Sequence, residues 1–243
     1  MLRLVTTSFQ QGAKKSIEQI RATALLKQQP VPGKIVSETV DTTLGVTTYT
    51  LSNGIKVTTK ATNFKDDQIL FSGVKYGGTG SYGIADKSNI TFMQSIIGVM
   101  GYGQFTPAAL GDYLSGKQVS VGTGTGNLTA NVSGSTAVKD INTMLELTYL
   151  KLTQPRKDTA LLKGWLTKLY ARLPLIKADP QNAFQDSLTK VMYSDNPLAP
   201  IIIPTQQDIE HIDVERILAI YKEQFGNADG FHFFFVVNID PAS

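Results

Sequence analysis

The chain has no cysteine among its 243 residues. Disulfide bonds, thiolate zinc sites and cysteine nucleophiles are therefore excluded. This absence does not assign a compartment, because many cytosolic and periplasmic proteins lack cysteine. Bacterial periplasm and cytoplasm are both compatible with the sequence.

Histidine is nearly absent, with His211 and His232 as the two imidazoles. Residues 39–145, between Glu38 and Glu146, contain neither histidine nor glutamate. Because these side chains supply most bases and metal ligands of hydrolases, this stretch excludes a site built from them. Neither histidine has a partner at a ligand spacing such as i, i+4, so we expect ordinary surface or half-buried histidines.

Long apolar runs and clusters of one charge are missing too. No segment reaches the roughly 18–20 consecutive apolar residues of a membrane helix. The 23 basic and 20 acidic residues give a net charge of +3 and are scattered along the chain. Because nucleic-acid-binding surfaces need clustered lysine and arginine, we expect no nucleic acid partner. Because no apolar run is long enough, we also expect no membrane span.

The composition is that of a globular protein, with 42% hydrophobic and 18% charged residues. Apolar periodicity predicts a helix over 16–28, and the Pro/Gly-containing stretch 29–33 then predicts a linker. We therefore predict that residues 1–40 are a helical tail and linker from an upstream element. Residues 41–243 are predicted to form a single domain.

Alternating apolar residues predict the strands of this domain. Ser52-Asn53-Gly54 separates two such runs and predicts a hairpin with a type I′ turn, in which both central residues need positive φ. Further strands are predicted at Ile69–Lys75, at Gln118–Gly122, at Asn127–Ser133 and, as a central strand rich in Phe and Val, at Phe231–Asn238.

Helical periodicity predicts helices at Asn89–Met100, Ser135–Leu152, Asp158–Leu173, Gln181–Met192 and Asp213–Phe225. A further short helix is predicted after Thr106, which caps it, with Pro107 in its first position. Strands and helices segregate instead of alternating strictly. The sequence therefore predicts an α+β fold in which one antiparallel-rich sheet packs against several helices.

Two glycine motifs could indicate phosphate binding. Gly111–Gln118 nearly matches a phosphate-binding loop, but Gln118 replaces the required Ser or Thr, and a helix precedes the motif where a strand is needed. Gly122–Gly126 lacks the dinucleotide spacing and is better interpreted as a flexible hairpin turn. No Gly-x-Ser-x-Gly elbow occurs either, so side-chain chemistry alone proposes no active site.

Four segments follow one another in an informative order: the hairpin Leu51–Val57, the glycine-rich strand end Tyr76–Gly80, the stretch Gly101–Thr106, and a helix-then-strand ending from Pro204 to Asp240. In this order and spacing they resemble the pitrilysin/insulinase family of inverted zinc metallopeptidases. The resemblance covers roughly residues 45–243. Each segment is unspecific alone, whereas their arrangement is not.

Catalytic members of that family carry His-x-x-Glu-His on the helix after the glycine-rich strand, and a downstream glutamate completes the zinc site. The positions here that match the motif are Phe92, Ser95 and Ile96, which cannot ligate zinc or replace the catalytic carboxylate. The downstream ligand is missing too, because no glutamate lies between Glu146 and Glu210. The resemblance therefore implies no catalytic residue, metal ligand or cofactor in this chain.

Members of the family are built from homologous domains that close like a clamshell around an unfolded peptide, and only the first is catalytic. The resemblance implies a non-catalytic domain from the second half of a zinc-dependent endopeptidase, which completes the chamber and helps to hold the peptide substrate. Its partner would be the catalytic half of the same polypeptide or a catalytic partner subunit, with zinc in the catalytic domain. A stand-alone inert partner or assembly subunit of the same family is the alternative, and an unrelated small-ligand module is a third hypothesis.

Overall fold

The computed structural model describes residues 24–63, 65, 67–194 and 196–237, and every structural statement below concerns these residues. The helix predicted over 16–28 lies largely outside them.

Seven strands of the described chain form one mixed sheet in the order β1-β2-β3-β7-β4-β6-β5. They are β1 (Ile35–Asp41), β2 (Val46–Leu51), β3 (Lys56–Ala61), β4 (Gln68–Tyr76), β5 (Val119–Thr125), β6 (Thr129–Ala137) and β7 (His232–Val237). The pair β3–β7 is parallel and all other neighbours are antiparallel. The predicted central position of the last strand is confirmed, since β7 lies between β3 and β4.

Seven α-helices of the described chain complete the α+β fold that the sequence predicts. They are α1 (Lys87–Met100), α2 (Pro107–Leu114), α3 (Ile141–Thr153), α4 (Thr159–Ala178), α5 (Pro180–Tyr193), α6 (Gln206–Glu210) and α7 (Val214–Phe225). Buried side chains of α1, α3 and α7 share one core with inward side chains of β4, β6 and β7. The other side of the sheet, here called the open face, presents Leu70, Phe234 and Val236, which are 47%, 40% and 37% exposed.

Side-chain caps set the helix starts. The Thr106 hydroxyl accepts a hydrogen bond from the Ala109 amide at 3.2 Å, and Pro107 occupies the first turn of α2, as predicted. Asp158 and Asp213 cap α4 and α7 in the same way. These caps satisfy amides that have no partner within their own helix.

The turn between β2 and β3 differs from the predicted type I′. Gly54 has a φ of 83°, but Asn53 does not adopt positive φ. The Gly54 amide donates to the Leu51 carbonyl at 3.0 Å, and the Leu51 amide donates to the Ile55 carbonyl at 2.8 Å. This pattern is a three-residue connection that needs a left-handed residue only at its last position, where glycine lies.

The glycine run 122–126 is mostly strand, so its interpretation as a hairpin turn is wrong. Gly122 to Thr125 continue β5, and the turn comes later, closed by the Gly126 amide donating to the Thr129 carbonyl at 2.8 Å. The β-branched threonines favour extended backbone. Strand β6 also runs on to Ala137, where residues 134–137 pair with β4, so α3 begins at Ile141 and not at Ser135.

The sheet begins before residue 41. Strand β1 pairs with β2 along Ile35–Asp41, in a segment that the sequence assigns to the linker. Leu25 and Leu26 are 2% and 5% exposed and belong to the core. The domain boundary itself stays a prediction, but the described residues before it pack on the domain.

Candidate functional site

Helix α1 contains Phe92, Ser95 and Ile96, the positions predicted to match the zinc motif of the pitrilysin/insulinase family. Phe92 and Ile96 are 7% and 0% exposed and lie in the core, whereas Ser95 is exposed. The Phe92 ring meets the Trp165 ring of α4 edge-to-face, with 6.0 Å between centroids. The described residues contain no group of three histidine, aspartate or glutamate side chains that could hold a metal ion. That these positions are the counterparts of metal ligands stays a prediction.

The glycine-rich segment that leads into α1 is held by Gln224 of α7. The buried Gln224 side chain accepts a hydrogen bond from the Gly78 amide at 3.0 Å and donates to the Gly78 carbonyl at 3.2 Å. Its amide also donates to the Tyr82 hydroxyl at 3.0 Å, which in turn donates to Glu223 at 2.8 Å. One side chain therefore satisfies the backbone of a loop more than 140 residues away in sequence.

Arg216 adds contacts to the start of α1, and these contacts together with those of Gln224 are here called the clamp around Gln224. Its guanidinium donates to both carboxylate oxygens of Asp86, at 2.9 and 2.8 Å, and to Glu223 at 3.0 Å. The bidentate hydrogen bonds from Arg216 lower the pKa of Asp86 below its ordinary value. Through these contacts, α7 fixes the position of α1.

A second polar cluster, which the sequence did not reveal, joins α1, α3 and α7 to the edge strand β5. The Tyr221 hydroxyl donates to the Lys151 carbonyl at 3.0 Å and lies 3.2 Å from the Thr123 hydroxyl, which donates to Gln94 at 3.3 Å. The Lys151 ammonium donates to the Val121 carbonyl and lies 5.4 Å above the Tyr102 ring. These residues come from five separate segments, so no local motif could have indicated them.

Burial is the main cause of the pKa shifts in this cluster. It lowers the pKa of Lys151 and raises the pKa values of Tyr102 and Tyr221. Both phenols therefore stay protonated and act as hydrogen-bonding groups. The cluster positions the edge strand, and we assign it no acid–base role.

Strand β5 is one edge of the sheet. In its antiparallel ladder with β6, alternate residues turn their backbone groups inward, as Gln118 does when its carbonyl accepts from the Ala137 amide at 3.0 Å. By this alternation Val119, Val121, Thr123 and Thr125 direct their backbone N–H and C=O groups to the free side. Lys151 covers the carbonyl of Val121. Among the described residues, no strand pairs with this free edge.

The two histidines lie on different elements. His211 caps the C-terminal end of α6 and is exposed. His232 lies on β7, with its Nε2 2.7 Å from the Thr58 hydroxyl and its ring stacked on Phe234 at 4.1 Å between centroids. His232 is therefore half-buried, in agreement with the ordinary surface or half-buried histidine that the sequence predicts.

A pH dependence follows from His232. Burial, with Lys56 nearby as the second cause, lowers its pKa below the ordinary value of 6.5. The unfolded chain then binds a proton that the folded chain resists, so we expect the free energy of unfolding to fall as the pH drops from about 7 to about 5. Urea titrations across this range should show a shallower fall for His232→Gln. A His211→Gln variant serves as a matched control for the loss of one imidazole, and an unchanged slope in His232→Gln would contradict the assignment.

The phosphate-loop interpretation stays rejected on structural grounds. Its segment leaves α2 and enters β5, which confirms the helix-before-strand context expected from the sequence. Lys117 donates to the Thr143 hydroxyl at 3.3 Å.

No helix of the described chain has the length and apolar character needed to cross a membrane.

Comparison with known proteins shows what the chain is similar to. No family model matches it. It is 25% identical over 221 residues to an Arabidopsis thaliana protein described as zinc protease PQQL-like, which covers 89% of this chain and 20% of that protein. The chain therefore spans about a fifth of this relative's length.

Solved structures share the fold. The periplasmic protease PqqL from Escherichia coli matches with a TM-score of 0.76 at 16% identity, over 99% of this chain and 26% of that one. A peptidase M16 inactive domain from Pseudomonas fluorescens matches with a TM-score of 0.65 at 17% identity, over 82% of this chain and 48% of that one. The ferredoxin protease FusC, solved with Arabidopsis ferredoxin, matches with a TM-score of 0.66 at 12% identity, over 90% of this chain and 25% of that one.

These likenesses confirm the resemblance to the pitrilysin/insulinase metallopeptidases and the α+β fold that the sequence predicts. The matched structures include a domain that is itself described as inactive. At their levels of identity the solved structures show the fold alone.

Proposed function

We propose that the chain is a non-catalytic domain of a zinc-dependent endopeptidase, in which it completes the substrate chamber and helps to hold the peptide. The observation that carries the proposal is a metallopeptidase-like fold in which Phe92 and Ile96, the positions predicted to match the zinc motif, are buried apolar side chains. Because these side chains support the core, we infer that hydrolysis takes place in another domain of the parent protein, where zinc would be held.

Two surfaces support a role in holding peptide. The free edge of β5 offers backbone groups to an extended segment, and main-chain pairing of this kind is independent of side-chain sequence. The open face adds the exposed apolar side chains of Leu70, Phe234 and Val236. An endopeptidase that accepts unfolded peptides needs contacts of this kind.

The experiment starts from the natural polypeptide that contains this chain. We expect its reading frame to encode an upstream His-x-x-Glu-His, and replacing the glutamate of that motif with glutamine should abolish cleavage of a fluorogenic peptide. A Ser95→Ala change in this chain should leave cleavage unaltered, because Ser95 is exposed and outside the chemistry.

Other outcomes separate the alternatives. A reading frame without any upstream motif would favour the stand-alone inert subunit of the same family. Cleavage that survives loss of the upstream motif would contradict both proposals.

A further inference from the structure

Helix α5 has its apolar residues on the outside. Phe184, Leu188, Val191 and Met192 are 64%, 41%, 77% and 70% exposed. The i, i+4, i+7 spacing of the first three places them within about 60° of each other around the helix axis. None of the 14 residues of this fully described helix is buried.

The side of α5 that faces the protein is polar. Asn182, Asp186 and Thr189 are its half-buried positions, apart from the apolar stripe by roughly half a turn of the helix. Asn182 donates to the Ile176 carbonyl of α4 at 3.1 Å, and Asp186 pairs with Lys190 at 2.7 Å. An ordinary surface helix buries its apolar stripe and exposes its polar side. Helix α5 does the reverse, which indicates that a further surface covers the stripe.

Charge on the neighbouring helix restricts what this surface can be. Helix α4 contains four basic residues and no acidic residue, and all four are exposed: Lys163, Lys168, Arg172 and Lys177. The hairpin formed by α4 and α5 thus combines an apolar stripe with positive charge. An apolar patch bordered by carboxylates complements it.

We propose that the α5 stripe (Phe184, Leu188, Val191 and Met192) is a docking surface for another domain of the same polypeptide, one that presents an apolar patch with acidic borders. This inference rests on the proposed function. The chain spans 26% of the PqqL chain on which it superposes, so most of a parent protein of that length lies outside it.

A membrane surface is the less suitable occupant. Interfacial helices carry lysine and arginine along their own polar side. The single basic residue of α5 is Lys190. It is paired with Asp186, and it leaves the other side of the stripe without a basic residue. Docking to a domain of the same chain also benefits from the high effective concentration that a covalent link provides.

The absence of cysteine makes the test direct. Val191→Cys places one thiol of this chain on the stripe, and Ala183→Cys places one on an exposed flank of the same helix. Each variant is made in the full natural polypeptide, with any cysteines elsewhere replaced by serine, and its labelling by a maleimide is followed in native and urea-unfolded protein.

We expect the native Val191→Cys thiol to react about tenfold more slowly than the Ala183→Cys thiol, with similar rates after unfolding. Met192→Cys provides a second probe of the stripe and should be protected as well. Equal native rates for Val191→Cys and Ala183→Cys would overturn the proposal.

Two further results would also overturn it. Protection that appears only at high protein concentration would assign the stripe to a second copy, and protection that appears only with anionic vesicles would assign it to a membrane. The underlying function fails differently: a polypeptide without an upstream His-x-x-Glu-His contradicts the proposed function, whereas an unprotected thiol in a long, active peptidase contradicts the docking surface alone.

Discussion

Ile96→Ala is expected to lower the free energy of unfolding by about 2–5 kcal/mol, the range found when a large aliphatic side chain is removed from a packed core. Ile96 is 0% exposed and lies among Met93, Ile97 and Met100, which are equally inaccessible. A loss of this size would show that the side chain of Ile96, at a position predicted to match a metal ligand of the catalytic family members, supports the core. Urea denaturation followed by tryptophan fluorescence measures it, with an unchanged m-value showing that the change is one of stability.

The matched control lies one residue earlier on the same helix. Ser95 is exposed, so Ser95→Ala should alter stability by no more than about 0.5 kcal/mol. If both variants were equally mild, the side chain of Ile96 would not be part of a packed core, and the structural argument against a metal site on α1 would fail.

Gly78→Ala is the second change for which we expect a large loss, about 2–5 kcal/mol. Gly78 has a φ of 75°, which costs a residue with a side chain roughly 1–2 kcal/mol. A Cβ there would also lie 2.6 Å from the Thr129 amide nitrogen and 2.8 Å from the Asn127 carbonyl carbon, and overpacking of this kind adds about 1–3 kcal/mol. The loop would have to move away from Gln224, which holds its backbone.

Gly83→Ala provides the comparison. Gly83 has a φ of −87°, and a Cβ there would meet nothing within 4 Å. Because alanine restricts only the unfolded chain at such a position, we expect a neutral or slightly stabilising change of up to about 1 kcal/mol. Equal thermal midpoints for the two alanine variants would contradict the tight approach of the glycine-rich loop to β6.

The predictable part of the fold is the part with strong periodicity. Buried helices such as α1 and the central strand β7 carry apolar patterns that leave little choice of structure, and their predicted positions are confirmed. The resemblance to the peptidase family rests mainly on a hairpin, on glycine-rich stretches and on the final helix and strand, together with their order.

The features that sequence analysis missed depend on contacts distant in sequence. Strand β1 is exposed on every residue and forms because β2 offers it a partner, so its own pattern carries no signal of burial. The glycines of β5 resemble a turn locally, but pairing with β6 keeps Gly122 and Gly124 extended. Tertiary pairing overrides local propensity in both cases.

The candidate site shows the same division. Residue types predict a helix at α1 without ligands at Phe92, Ser95 and Ile96, and the helix is confirmed. The polar cluster at Lys151 and the clamp around Gln224 each join segments far apart in the chain, so neither could be predicted without coordinates. The apolar periodicity of α5 is present in the sequence, whereas its outward direction depends on how the helix packs.

The non-catalytic character of this domain is tested most directly by the zinc content of the purified chain, measured by metal analysis together with its peptide-cleaving activity. We expect no stoichiometric zinc and no chelator-sensitive cleavage, because buried apolar side chains occupy Phe92 and Ile96, the positions on α1 that are predicted to match the motif. Stoichiometric zinc accompanied by cleavage that a chelator abolishes would contradict it.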